Sequence, residues 1–112
     1  MIQRLLMIGL SAIVFWTSSL IQPVFAADLG NGVSVFTVQC AGCHAQGGNI
    51  VRRNKTLTLK ALQKNGYATE AAIAQLVTNG KNNMSAYKDR LSQAQIQDVS
   101  AYVLEQAKKG WK

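Results

Sequence analysis

Residues 40–44 read Cys-Ala-Gly-Cys-His, and this stretch decides how the rest of the chain folds. C-x-x-C-H is the pattern of covalent haem attachment. On a helix the reactive positions fall at i, i+3 and i+4, so Cys40, Cys43 and His44 share one face. Two thiols there can add to the two vinyl groups of a haem while the imidazole reaches its iron. Other uses of paired cysteines fit poorly. A thioredoxin-like dithiol needs a βαβ context, and no strand pattern is legible. A structural zinc site needs further ligands, but the chain has 2 Cys and 1 His in all. A disulfide between residues three apart closes a trivial loop and stabilises little.

Composition narrows the class further. At 112 residues the chain holds one domain, and with 48% apolar and 15% charged residues it is no disordered segment. A single His excludes any His-based catalytic pair, and a single Pro with 7% aromatics excludes Pro-rich tracts and stacking platforms. Twelve basic against five acidic residues give a net charge of +7. The basic residues are scattered, paired only at Arg52-Arg53 and Lys108-Lys109, with no helical stripe or aromatic interleaving. Nucleic-acid binding is therefore not expected; an acidic protein partner, or merely a soluble surface, is.

The N-terminus reads as an export signal. Met1–Arg4 is positive, Leu5–Trp16 almost wholly apolar, and Val24 and Ala26 suit cleavage after Ala26. An uncleaved anchor is the competing reading; the apolar run is short for it and is followed by Thr17, Ser18 and Ser19. Residues 1–26 are thus expected to be a cleaved signal peptide and 27–112 the functional domain. Export agrees with the motif, since c-type haem is attached outside the cytoplasm.

Four helical stretches follow, and no convincing strand. Asp28 caps a first helix running through Phe36 to the cysteines, where Gly32 reads either as close approach of another helix or as simple tolerance. A second covers about Leu57–Lys64 and stops at Asn65-Gly66; Thr69 caps a third, with Ile73, Leu76 and Val77 on its apolar face. Residues 80–89 read as a loop. Ser92 and Gln95 form a capping box for the last helix, which ends at Lys108-Lys109-Gly110. The core is thin for a domain of this size, and such domains need a staple.

The sixth iron ligand follows by elimination. Met1 and Met7 lie in the leader, so Met84 is the one methionine of residues 27–112, and it sits in a Gly- and Asn-rich loop. His/Met ligation, with His44 and Met84 axial, makes the chain a one-electron carrier whose iron is closed to substrate. An open iron, or ligation by Lys81 or Lys88, is the alternative. A peroxidase or a haem-based sensor would need the open iron, and a peroxidase a distal acid–base group that no second His supplies.

These residues resemble cytochrome c6, a photosynthetic carrier family of cyanobacteria and algae. The likeness spans residues 27–112: Ala27-Asp28-Leu29, Cys40–His44 with Gly47-Gly48-Asn49, Asn54-Lys55-Thr56-Leu57, and Gly80-Lys81-Asn82 before Met84. Arg90-Leu91, Ile96-Gln97-Asp98-Val99, Ala101-Tyr102-Val103-Leu104 and Lys109-Gly110-Trp111 complete it. The resemblance implies an all-α, class I cytochrome c fold of about four helices around one covalent haem c. It implies a monomeric electron carrier, not an enzyme, working in the thylakoid lumen or periplasm. Its partners would be the cytochrome b6f complex and photosystem I, or a terminal oxidase. Arg90 matches an arginine used in docking to photosystem I, with Arg52 and Arg53 as further steering cations; a solvated loop cation is the plainer reading of Arg90. Two positions depart from the family pattern. Ser85 replaces the proline usual after the ligand Met, and Leu76 replaces a glutamine usual near the haem, which implies a lower potential and a different partner.

Overall fold

The computed structural model describes residues 26–112, so the expected leader lies outside the described residues except for Ala26. Five α-helices are present: α1 (Leu29–Gln39), α2 (Ala41–His44), α3 (Leu59–Asn65), α4 (Glu70–Asn79) and α5 (Gln93–Lys109). Among the described residues there is no strand, only an isolated bridge between Lys81 and Met84. No helix of the described residues is long and apolar enough to cross a membrane.

Local chemistry sets most of the boundaries. The Asp28 carboxylate accepts the Asn31 N–H at 3.0 Å and starts α1. The first helix does not run unbroken into the motif, as the sequence had suggested. It ends at Gln39, and Cys40 (φ −117°) opens the short turn α2, which a 3₁₀ turn (Ala45–Gly47) extends. That break adds the fifth helix. α3 begins two residues later than expected because the Thr58 hydroxyl caps it, accepting the Ala61 N–H at 3.2 Å. Leu57 is withheld from the helix: its N–H donates to the Gly47 carbonyl at 2.7 Å. α4 and α5 start where Thr69 and the Ser92/Gln95 capping box place them.

The scaffold is built on α5. α1 and α4 both pack against it, and the core gathers Val35, Phe36, Ile73, Val77, Ile96, Val99 and Val103 between them. Gly32 permits the close crossing: a side chain there would run into the Asp98 backbone and, at 2.8 Å, the Tyr102 Cβ. Asp98 fastens the same crossing by accepting from the Asp28 N–H and the Asn31 amide, both at 2.8 Å. Beyond α5 the chain folds back over the motif. Trp111 covers Gly47, packs on Phe36 at 5.2 Å between centroids, and donates its indole N–H to the Leu57 carbonyl at 2.8 Å.

Candidate functional site

α2, the loop before α3, and the loop after α4 enclose a cavity of about 370 Å³. Its volume falls within the roughly 300–1,000 Å³ of ordinary cofactor sites. Cys40, Cys43, His44 and Met84 all line it, as do Leu76 and Arg52. The turn α2 thus presents both thiols and the imidazole to one space despite the break at Cys40. Both cysteines are free. Burial pushes the Cys40 thiol up to about 11, so at neutral pH it stays protonated. Cys43 is exposed.

His44 is held in one tautomer. Its Nδ1 lies 2.8 Å from the Gly48 carbonyl, which can only accept, so Nδ1 carries the proton and Nε2 keeps its lone pair for a metal. The positive φ of Gln46 (51°) and Gly47 (78°) reverses the chain to bring that carbonyl round.

Met84 reaches the cavity on a backbone built to turn. Lys81 and Met84 exchange N–H···O bonds of 3.0 Å each, with Asn82 at φ 53° between them. Gly80 (φ 67°) precedes the turn, and a side chain there would strike the backbone of Met84–Ala86. Ser85 stands where the family pattern has proline; it is exposed and takes no part in these bonds. Of the alternative ligands, Lys81 lines the cavity and Lys88 does not; the Lys81 ammonium lies 3.4 Å from the Tyr67 hydroxyl. Among the described residues no three His, Cys, Asp or Glu side chains cluster to hold a bare metal ion. Two thiols, one imidazole with a fixed proton and a thioether in a mainly apolar cavity do fit haem c, which brings four nitrogen ligands of its own.

The remaining sequence candidates separate. Leu76 is half-buried in the cavity wall, Val77 is buried and lines the cavity beside it, and Ile73 on the same helix is buried in the core outside the lining. Arg52 stands at the cavity; Arg53 and Arg90 are exposed and outside its lining. Arg90 instead lies 4.8 Å above the ring centre of Tyr87. Sequence reasoning missed Tyr87, which lines the cavity three residues beyond Met84. An aromatic so close to a candidate ligand was the available signal.

A helical domain that turns a C-x-x-C-H segment and a loop methionine into one apolar cavity defines a c-type cytochrome. A family model described as cytochrome c oxidase, cbb3-type, subunit III matches residues 27–103. A cytochrome c6-like protein of Nostoc sp. (strain PCC 7120) is 54% identical over 110 residues, covering 98% of this chain and 99% of its own length. The structure of cytochrome c6C from Synechococcus sp. PCC 7002 is 57% identical with a TM-score of 0.69, covering 70% of this chain and 96% of that one. Cytochrome c6 of the diatom Phaeodactylum tricornutum matches with a TM-score of 0.74 at 45% identity, covering 76% and 100%. The chain belongs to the cytochrome c6 family. It is an electron carrier rather than an enzyme, and its cofactor is one covalently bound haem c.

Proposed function

We propose that the chain is exported, trimmed after Ala26, and carries single electrons between membrane complexes in the thylakoid lumen or periplasm. Cys40 and Cys43 would bond the haem, and His44 and Met84 would hold its iron. The observation that carries this reading is the convergence of those four side chains on one cavity. Haem c bound there supplies an iron that gains and loses one electron. The protein's own part is to hold that site still. The Gly48 carbonyl orients His44 and the Lys81–Met84 turn fixes the thioether, so little of the protein has to rearrange when charge changes. The soft thioether favours the reduced iron.

The partner reads as acidic. Arg52 at the cavity and Arg53 beside it adjoin Ile50 and Val51, exposed by 74% and 54%. Cations on the approach and apolar surface at the contact suit brief encounters with fast exchange. Raising ionic strength from about 10 mM to 150 mM shortens the Debye length from roughly 30 to 8 Å. The association rate with an acidic partner is expected to fall roughly ten-fold or more over that range. Flash-induced oxidation kinetics with isolated photosystem I measure it, and a flat salt dependence rejects steering. Oxidation of the reduced protein by an isolated terminal oxidase, compared at the same salt, decides between acceptors.

Leu76 favours a divergent carrier over the main photosynthetic one, and the likeness to a c6-like and a c6C protein points the same way. A glutamine at 76 would place an N–H dipole in the cavity wall, disfavouring the more positive oxidised iron; leucine offers no such donor. Leu76→Gln is therefore expected to raise the midpoint. One hydrogen bond of about 1 kcal/mol corresponds to roughly 40 mV for one electron. Paired redox titrations at equal salt and pH test it, and equal midpoints or a lower one in the variant leave Leu76 as wall packing.

A further inference from the structure

Tyr87 joins the two halves of the site. Its backbone N–H donates to the Val77 carbonyl at 2.9 Å, anchoring the loop to α4. Its hydroxyl donates to the Gln39 carbonyl at 3.0 Å, one residue before Cys40. Among the described residues this is the one hydrogen bond between segment 80–91, which carries Met84, and segment 28–48, which carries Cys40, Cys43 and His44. The other face of the link is outside: the Arg90 guanidinium covers the Tyr87 ring at 4.8 Å, and the Arg90 N–H donates to the Tyr87 carbonyl at 2.9 Å.

We propose that Tyr87 is a positioning residue that latches the Met84 loop onto the cysteine–histidine turn, and that Arg90 holds the latch by stacking on its ring. The inference rests on Met84 being the axial ligand. A phenylalanine would fill the same space and pack on the same walls but would leave the Gln39 carbonyl without this donor. What the hydroxyl adds is therefore not burial but a fixed distance between the two segments that must grip one cofactor from different directions. Arg90 contributes from the surface, where a planar guanidinium covers an aromatic face better than an ammonium does. Arg90 accordingly has two duties that can be separated. Its charge serves encounter with an acidic partner, and its plane serves the latch. A partner carboxylate that pairs with Arg90 would compete with the stack, so docking and the rigidity of the Met84 loop are coupled at this residue.

The test uses the holo-cytochrome in wild-type, Tyr87→Phe and Arg90→Lys forms. The readouts are amide exchange at Lys81 and Met84, the thermal loss of the near-infrared sulfur-to-iron band, and global unfolding by far-ultraviolet dichroism. Tyr87→Phe is expected to speed exchange at both amides roughly three- to ten-fold, the range for one net hydrogen bond. The band is lost at lower temperature while global unfolding moves less. Arg90→Lys is expected to shift both local readouts in the same direction, roughly two- to five-fold in exchange, with the salt dependence of association retained. Unchanged exchange and band loss in Tyr87→Phe overturn the latch and leave the Met84 assignment standing. Arg90→Lys without local effect overturns the part given to Arg90. A wild type that lacks the band overturns the Met84 assignment and the latch with it.

Discussion

Replacing both Cys40 and Cys43 by alanine is expected to give a chain that yields all of its haem to acid–acetone and does not hold its helices without it. Wild-type protein under the same treatment retains the haem, and each single variant keeps one bond. The reason lies in where the apolar surface faces. Leu62 of α3 and Val77 of α4 belong to the core and also line the cavity, with Leu76 in the wall beside them. Left without the haem, the apolar part of those walls would face water, and a small domain whose entire stability is about 5–15 kcal/mol has little margin to lose it. The site is thus also the missing centre of the fold. Far-ultraviolet dichroism of the extracted double variant checks the second half of the expectation, and native helicity in haem-free protein would refute it.

What could be read from the sequence was whatever a few neighbouring residues decide among themselves. Asp28, Thr69 and the Ser92/Gln95 pair start their helices where expected because a capping side chain acts within three residues of itself. The motif was legible for the same reason: its spacing alone puts three side chains on one face. Non-local contacts were not. The start of α3 moves to Leu59 because Thr58 caps it and Gly47 draws Leu57 away, a contact no periodicity encodes. Trp111, read only as part of a family likeness, pins that same loop from the far end of the chain. Leu76 shows a subtler limit. A 3.6-residue period groups it with Ile73 and Val77 but cannot tell a helix face packed on protein from one that faces a cofactor cavity. Arg90 shows the converse: in the sequence it is a loop cation, and only the fold stacks it on Tyr87.

Met84→Ala is expected to abolish the near-infrared sulfur-to-iron band, lower the midpoint potential, and let carbon monoxide bind the reduced protein at neutral pH. The loop should survive the change. Its closure depends on backbone bonds between Lys81 and Met84 and on the glycine at position 80, none of which involves the thioether. The variant therefore removes the proposed ligand without removing the turn that presents it. With Met84 as the ligand, the potential falls because the soft sulfur that would stabilise the reduced iron is gone. The drop is expected on the order of 0.1 V, against the roughly 0.8 V that axial ligands span. Potentiometry, the band and carbon monoxide titration each report on the same atom by a different route. Lys81 gives the comparison its edge, since it lines the same cavity and is the competing donor. If Lys81 were the ligand, wild type would lack the band, Met84→Ala would leave the potential in place, and Lys81→Ala would be the variant that opens the iron. Met84 as the ligand requires the reverse on all three counts, with Lys81→Ala still closed to carbon monoxide.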